Sequence, residues 1–418
     1  MQQLDNCIVL AGETLAPHHC HRFGVDGDTL GTMDLGPPVM ELDQGALVII
    51  PALYNGHTHM GDSCLPDGAT GLTLEQGFFR PDGYKYRALA AMPWDVQLAQ
   101  VTAQLRYMAR TGTVCHLDFR EQGAAGSALL REAAAAVGID SIILGQFDGV
   151  PFDKETLSNN SEPLPPTFVT ELNAILDVAD GFSESTMNDL TDPAWCEIRE
   201  ITEQRNKRRA IHCLENTGYR DDSIRITGRG DLERAIGLLA PDIIVHMTVA
   251  NADEIATLKA SGVTAVLNPR ANANLGLPLP PIAGLMQAGV NLLLGTDNGL
   301  LNSPNLFAEL DFTYKLAKSQ FGNSIAPDPL DILQFATANI ATVLGGDHYG
   351  FLAPGLPASF VVLDFTQPHL AQTRHLPASI LTRVTPEDVL GTYRQGRALY
   401  ESPRLQAAWS KTRATGLT

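Results

Sequence analysis

The chain of 418 residues is long enough for one large α/β barrel with a smaller appended domain. Its formal net charge of -18 disfavours binding to phosphate backbones or anionic lipids, so a nucleic-acid partner is not expected. No apolar run approaches the roughly 18 residues of a membrane span, the N-terminus lacks a secretion signal, and the six cysteines form no Cys-x-x-Cys pair. These features predict a cytoplasmic protein with reduced thiols and no membrane partner.

Short apolar runs alternate with helical stretches between residues 53 and 344, which predicts repeated βα units and a parallel sheet. Two of the helices are expected at 126–137 and 252–260. Eight parallel strands with helices between them favour closure into a (β/α)8 TIM-like barrel. The eight predicted strands are 53–55, 113–118, 141–146, 174–178, 209–213, 243–246, 264–268 and 292–296.

Both ends of the chain carry further β-type runs, at 46–50 and 360–363, separated by Gly, Pro and Asp. We predict that they build a small β-sandwich domain beside the barrel. The predicted domains are residues 1–52 for the first part of the β-sandwich, 53–348 for a metal-dependent barrel, and 349–418 for the second part of the β-sandwich and a tail.

Polar residues at the carboxyl ends of barrel strands usually carry the chemistry. His57 and His59 end the first run, and because alternate strand residues face the same side, both imidazoles can bind one metal ion. His-x-His alone is a weak signal, but His212 ends the fifth run and Asp297 follows the eighth. Three imidazoles and one carboxylate suit zinc, or iron(II), with room for a water molecule.

Two further strand-end residues are candidates for proton transfer and charge stabilisation. Glu215 follows His212 by three residues and can carry a proton between water and substrate. His246 ends the sixth run and can hydrogen-bond the attacking oxygen or a developing oxyanion. The structural alternatives are a solvated loop acid for Glu215 and a buried supporting histidine for His246.

Together these motifs resemble the amidohydrolase superfamily, in particular its cytosine deaminase and S-adenosylhomocysteine deaminase-like branch, over nearly the whole chain. The resemblance implies that Glu215 and Asp297 take a proton from the metal-activated water and that His246 orients the attacking oxygen. Members with two metal ions bridge them with a carboxylated lysine from the fourth strand, and residues 174–185 contain no lysine, so we expect one divalent ion. The implied metal ligands are His57, His59, His212 and Asp297. The motifs that carry the resemblance lie at 50–59, 212–215, 246, 268–272, 295–297, 336–339, 344–345 and 350–364.

Three other residues are candidates for substrate binding. Gln146 ends the third run, where the similar cytosine deaminases have a glutamine that holds the substrate amide edge; a glutamine both donates and accepts, as a ring lactam requires. A capping or surface amide is the alternative for Gln146. Asn298 occupies the position after Asp297 where the cytosine deaminase-like branch has a second aspartate. Arg270 is also a departure, because members of that branch need not have an arginine there. The identity of the ring therefore stays open.

The first βα connection, 61–92, is unusually long, and long loops at this face of a barrel are often lids. Its side chains could bind an anionic or ribosyl part of a substrate, but a solvated charged loop is the simpler interpretation. Nearby, Asp118 is expected to support the site and His116 to be structural. The polar residues of this connection are Arg80, Tyr84, Lys85, Tyr86 and Arg87.

The sequence thus predicts a hydrolase of carbon–nitrogen bonds other than peptide bonds, an aminohydrolase of cyclic amidines that releases ammonia from a pyrimidine, purine or pterin-like ring. Hydrolysis of a cyclic amide, formimino group or other C–N bond at the same site is the alternative, because the fold does not determine the reaction. A non-catalytic metal-containing binding protein is a remote alternative, since a ligand or the shuttle acid would be expected to be missing. The expected partner is a small heterocycle, and a homo-oligomer is compatible with the sequence.

Overall fold

The computed structural model describes residues 2–414, with side chains described up to residue 409. Its strands form two sheets, one of seven strands and one of nine. In chain order the strands are β1 (Gln2–Ala11), β2 (Ala16–Asp26), β3 (Thr29–Pro38), β4 (Leu47–Pro51), β5 (Leu53–His59), β6 (Thr113–Arg120), β7 (Asp140–Gly145), β8 (Gly181–Glu184), β9 (Arg208–Cys213), β10 (Ile243–His246), β11 (Thr264–Leu267), β12 (Leu292–Leu294), β13 (Asp297–Asn298), β14 (Phe360–Asp364), β15 (Val389–Arg394) and β16 (Arg397–Glu401).

Helices connect the strands of the larger sheet, and none that the structure describes is long and apolar enough to cross a membrane. The α-helices are α1 (Leu74–Phe78), α2 (Tyr84–Ala91), α3 (Trp94–Arg110), α4 (Gly123–Val137), α5 (Lys154–Asn159), α6 (Pro166–Val178), α7 (Asp192–Gln204), α8 (Thr217–Thr227), α9 (Asp231–Arg234), α10 (Ala252–Ser261), α11 (Pro269–Asn274), α12 (Ile282–Gln287), α13 (Leu306–Phe321), α14 (Pro329–Gln334), α15 (Ala341–Leu344), α16 (Leu376–Arg383) and α17 (Pro403–Ala414). Short 3-10 helices lie at Met60–Cys64, Met187–Asp189, Ala338–Ile340 and Pro386–Asp388, and a π-helix at Ala235–Leu239.

Local sequence sets the bounds of the predicted helices α4 and α10. The side chain of Asn251 accepts hydrogen bonds from the backbone of Asp253 and Glu254 and thereby caps the start of α10. Gly262, in the left-handed region with φ of 72°, ends it. A glycine with φ of 85°, Gly138, ends α4 in the same way.

The nine-stranded sheet is parallel and closes on itself, which confirms the predicted barrel. Its strand order is β12-β11-β10-β9-β8-β7-β6-β5-β13. The edge strands β12 and β13 belong to one stretch of chain, separated only by Gly295 and Thr296, and they pair with β11 and β5 respectively. A Cβ at Gly295 would lie 2.7 Å from the Cβ of His57, so this seam requires a glycine. The eighth strand of the barrel is therefore divided into β12 and β13 at the point where its backbone passes close to His57.

The observed barrel strands agree with the predicted ones except for the fourth. A strand at 174–178 is wrong, because these residues form the last turns of α6. The fourth strand is β8, a four-residue segment that pairs with β7 and β9. Leu172, Ile175 and Leu176 are fully buried at helical spacing, so the apolar run belongs to the inner face of a helix. The true strand still lies within the lysine-free segment 174–185.

The seven-stranded sheet joins the two ends of the chain. Its order is β16-β15-β14-β4-β1-β2-β3, and β14 pairs antiparallel with β4. Phe360 and Val362 of β14 pack into a core of this sheet, whereas Val361 and Leu363 pack into the core shared with the barrel. Because successive side chains of a strand face opposite sides, the sheet is covered on both faces and fixed against the barrel.

Candidate active site

Three histidines and one aspartate converge at the carboxyl ends of the barrel strands. His57 and His59 end β5, His212 lies on β9, and Asp297 begins β13. His57 Nε2 lies 3.2 Å from Asp297 Oδ1 and 3.3 Å from His212 Nε2, and His59 Nε2 lies 3.7 Å from Asp297 Oδ1. One nitrogen from each of the three histidines lies within 4.8 Å of the other two. The structure thus brings the four predicted metal ligands together.

Hydrogen bonds hold two of these imidazoles from behind. His59 Nδ1 lies 2.7 Å from Glu121 Oε1, and His212 Nδ1 lies 3.0 Å from the backbone oxygen of Glu184. With an acceptor beside it, each Nδ1 carries the proton and each Nε2 keeps its lone pair. Two imidazole lone pairs and the carboxylate oxygen of Asp297 therefore face one point. This donor set fits a divalent cation, and zinc in particular.

Burial and mutual proximity set the protonation states of these side chains. Burial lowers the pKa of His57 to about 3, and burial with the neighbouring histidines lowers the pKa of His212 well below its usual range. Burial opposes the charge of Asp297, but the hydrogen bond to His57 and the nearby histidines hold its pKa below the ordinary value. Burial opposes a charge on His59 as well, but Glu121 and Asp297 raise its pKa above the usual value. Metal ions bind neutral imidazoles and ionised carboxylates, so His59 must be deprotonated at Nε2 to act as a ligand.

Glu215 and His246 lie beside the four converging side chains. His246 Nε2 is 3.9 Å from Glu215 Oε1. The side-chain amide of Asn272 donates to His246 Nδ1 at 3.1 Å, which places the histidine proton on Nε2, the nitrogen that faces Glu215. Burial raises the pKa of Glu215, so this carboxyl group holds a proton more readily than an exposed glutamate does. A proton carrier and an N–H donor therefore face the same space.

The backbone is left-handed at four non-glycine residues around the site. The φ angles are 53° at Leu214, 83° at His246, 59° at Met247 and 62° at Asp297. Side chains with a Cβ disfavour this region, so surrounding contacts must stabilise it. One such contact is the hydrogen bond from the Leu214 amide to Asp231 Oδ2 at 2.8 Å. The strained positions include two predicted catalytic residues and the residue before Glu215, as expected where packing fixes functional groups.

A cavity of about 50 Å³ adjoins these residues. Asn298 lies in its wall and donates its side-chain amide to Asp62 Oδ2 at 2.6 Å. The first βα connection supplies part of the wall and the strand ends supply the rest. The lining residues are His59, Leu74, Phe78, Lys85, Tyr86, Ser185, His212, Glu215, Tyr219, His246, Leu275, Asp297 and Asn298.

Gln146 and Arg270, the other predicted substrate-binding residues, are not among the lining residues of this cavity. Gln146 is 1% exposed, and neither its side-chain oxygen nor its nitrogen has a hydrogen-bond partner among the described residues. Arg270 faces α13, where its Nη1 lies 3.6 Å from Glu309 Oε2 and its backbone amide donates to Glu309 Oε1 at 3.0 Å. The structure thus gives Gln146 an unsatisfied amide and Arg270 an ion pair.

Two cations of the long first connection contradict the interpretation of a solvated loop. The Lys85 side chain is 3% exposed; its ammonium lies 3.1 Å from Asp62 Oδ2 and is ion-paired with Glu121. The Arg80 side chain is 9% exposed and is ion-paired with Glu184. That interpretation is wrong for these two residues because Glu121 and Glu184, which lie outside the connection, bury them in ion pairs. The acidic residues at the ends of β6 and β8 are the sequence signal that could have revealed the pairs.

His116 and Asp118 are buried on β6 beneath the site. Thr58 Oγ1 lies 2.8 Å from His116 Nδ1 and donates to Asp118 Oδ2 at 2.7 Å. Asp118 Oδ2 also accepts from the backbone amide of Met60 at 2.7 Å. These bonds hold the chain on both sides of His59, which agrees with the supporting role expected of Asp118.

Known proteins resemble this chain over most of its length. The family model described as "Amidohydrolase family" matches residues 48–399. A protein of Methanothermobacter thermautotrophicus whose name proposes an aminohydrolase is 32% identical over 87% of this chain and 91% of its own length. A 5-methylthioadenosine/S-adenosylhomocysteine deaminase of Syntrophobacter fumaroxidans is 25% identical over 95% of this chain and 88% of its own. The crystal structure of a zinc-bound adenosine deaminase from Xanthomonas campestris has the same fold, with a TM-score of 0.76, 21% identity, and coverage of 95% of this chain and 93% of that one.

Proposed function

Because the chain belongs to the amidohydrolase family, we propose that its barrel mouth is a single-metal active site that removes an amino group from a nitrogen heterocycle by hydrolysis. The chain is a hydrolase of carbon–nitrogen bonds other than peptide bonds, as its family and its deaminase-named relatives indicate. The convergence of three imidazoles and a carboxylate beside Glu215 and His246 is the observation that carries the proposal.

His57, His59, His212 and Asp297 would hold the ion. We propose zinc, because nitrogen and oxygen donors suit it and the related adenosine deaminase structure contains it; iron(II) would accept the same donors. When bound, the ion would lower the pKa of a water molecule toward neutrality and so supply the nucleophile. One ion is proposed, since the fourth strand β8 ends in Glu184 rather than a lysine.

The protein side chains would manage the protons. Glu215, with Asp297, would take a proton from the attacking water, and Glu215 would deliver it to a ring nitrogen next to the amine-bearing carbon. His246 would donate from Nε2 to the oxygen that develops negative charge there. As the carbon–nitrogen bond breaks, the second proton of the attacking oxygen would pass through Asp297 or the deprotonated Glu215 to the amino group, which would leave as ammonia. The ring would then keep the oxygen as a carbonyl.

Gln146 and Asn298 would contact the ring. The amide of Gln146 is buried with no partner for either polar atom among the described residues, and an unsatisfied amide costs about 1–3 kcal/mol, so a ligand edge with one donor and one acceptor suits it. Asn298 already lines the cavity. Arg270 is better explained as the cation that pairs with the buried side chain of Glu309.

Ammonia release from a panel of aminopyrimidines, aminopurines, their nucleosides and aminopterins would test the proposed reaction. Zinc-loaded protein is expected to release one ammonia for each ring carbonyl formed with at least one of these compounds, and the chelator-treated protein is expected to release none. Opening of cyclic amides without ammonia release from any aminoheterocycle would instead support the alternative hydrolase.

A further inference from the structure

The cavity beside the histidines is too small for a heterocycle. Its volume of about 50 Å³ holds one or two water molecules, whereas sites for small ligands span roughly 300–1,000 Å³. Leu74, Phe78, Lys85 and Tyr86 fill the space from one side, and all four belong to the connection 61–92. Admission of a substrate ring therefore requires part of the wall to move, and this segment supplies four of its side chains.

Two buried cations tie this segment to the barrel. Lys85 on α2 is ion-paired with Glu121, which follows β6, and within the segment with Asp62. Arg80, between α1 and α2, is ion-paired with Glu184 at the end of β8 and donates to the backbone oxygen of Phe147 at 3.0 Å. Both cations are almost completely shielded from solvent, so their attraction to the carboxylates is little screened.

The same two glutamates hold ligand histidines. Glu121 Oε1 lies 2.7 Å from His59 Nδ1, and the backbone oxygen of Glu184 lies 3.0 Å from His212 Nδ1. Arg120 Nη1 lies 3.3 Å from Glu121 Oε2, so Glu121 would keep one cation if Lys85 left. Among the described residues, Glu184 has no ion-pair partner besides Arg80. Movement of the segment would therefore change the surroundings of both histidine supports at once.

We propose that residues 61–92 form a lid, and that Arg80 and Lys85 are positioning residues that fix His212 and His59 when the lid closes. The proposal rests on the proposed function, since it takes these histidines as metal ligands. Groups behind a ligand histidine typically change metal affinity 10- to 100-fold. If closure strengthens metal binding, then metal binding must stabilise the closed lid by the same factor.

Hydrogen exchange of the wild-type protein, with and without zinc, tests this reciprocity without any substitution. Backbone amides of α1 and α2 are expected to exchange about tenfold more slowly in the zinc-bound protein, while those of β2 and β3 in the terminal sheet stay unchanged. Equal exchange of α1 and α2 in both forms would refute the lid proposal.

Four substitutions separate a positioning role from a general effect on the fold. Lys85→Met and Arg80→Met are expected to weaken zinc affinity at least tenfold in a chelator competition, and Lys85→Arg is expected to restore most of it. Arg87→Met is the matched control, because Arg87 is exposed and lies two residues from Lys85 on α2; its affinity should equal that of the wild type. Wild-type zinc affinity in folded Lys85→Met and Arg80→Met would overturn the proposal.

These measurements do not depend on turnover. A protein that releases no ammonia from any aminoheterocycle, yet shows the zinc-linked protection of α1 and α2, would contradict the proposed reaction and support the lid. If Lys85→Met does not fold, the exchange experiment on the wild type decides the question.

Discussion

The strands β5 and β14 are both completely buried, yet they differ in what they bury. Residues of β14 are apolar except for the last, and they alternate between two hydrophobic cores. The second half of β5 buries His57, Thr58 and His59 at the barrel mouth. Burial alone therefore does not distinguish a structural strand from a functional one. Buried polar groups at a strand end are costly for stability, which supports the proposal that the chain carries out its chemistry at the barrel mouth.

The two regions also differ in how their groups are satisfied. At the mouth, His57 Nδ1 and the amide of Gln146 have no hydrogen-bond partner among the described residues, and Asp297 has a left-handed backbone. In the terminal sheet, Phe360 lies between the rings of Phe23 and Tyr393, with centroids at 5.1 and 4.6 Å. Substitutions at the mouth should change chemistry, and substitutions in the terminal sheet should change stability.

The largest effect is expected from Glu215→Gln. A neutral amide cannot carry the proton, so kcat should fall by about 10²- to 10⁴-fold. Zinc content and melting temperature should stay at the wild-type level or above, because burial disfavours the charge that the substitution removes. Metal analysis, thermal unfolding and ammonia assays would check this, and turnover near the wild-type rate would show that Glu215 is not the proton carrier.

Phe360→Ala should produce the opposite pattern. Removal of the buried ring is expected to lower the free energy of unfolding by about 3–5 kcal/mol, with kcat per folded molecule and zinc affinity unchanged. Denaturant titration and steady-state kinetics on the same samples would show both quantities, with Phe360→Leu as a milder control. A large drop in kcat of the folded fraction would mean that the terminal sheet shapes the site directly.

A smaller, pH-dependent effect is expected at Glu309, which lies behind the mouth. Burial raises its pKa from 4.5 to about 7, so the folded protein keeps this proton to higher pH than the unfolded chain does. The stability that the protonated group contributes is present below pH 4.5 and is lost as pH rises through 7. As pH rises from 4.5 to 8, the free energy of unfolding of Glu309→Gln should therefore increase by up to about 3 kcal/mol relative to that of the wild type.

Urea unfolding of both proteins across this pH range would measure the difference. The exposed substitution Glu155→Gln on α5 is the control. A stability difference between Glu309→Gln and the wild type that does not vary with pH would contradict the assigned cause.

The convergence of the predicted ligands could be predicted from the sequence because strand periodicity is local. His57 and His59 are two apart on one strand, and the apolar runs that end in His212 and His246 are continuous β-type segments, so their strand-end positions could be inferred without tertiary contacts. The fourth strand could not be placed in this way. The segment of β8, Gly-Phe-Ser-Glu, is short and weakly apolar, while the stronger apolar run before it is the buried face of α6.

The buried cations of the connection 61–92 depend on tertiary contacts instead. Nothing local distinguishes Lys85 and Arg80 from the exposed Arg87. The positions of Glu121 and Glu184 in the closed barrel provide the partners that lie outside the connection. Buried acidic residues at strand ends, such as Glu121 and Glu184, are thus a signal of long-range pairing.

A metal titration would show whether one ion at the barrel mouth supports deamination. Metal-free protein would be titrated with zinc while ammonia and the ring product are measured together on the best compound of the panel. We expect the rate to rise linearly and to stop rising at one ion per chain, with one ring carbonyl formed for each ammonia. A plateau at two ions, full activity before zinc is added, or no ammonia from any ring at full occupancy would contradict this expectation.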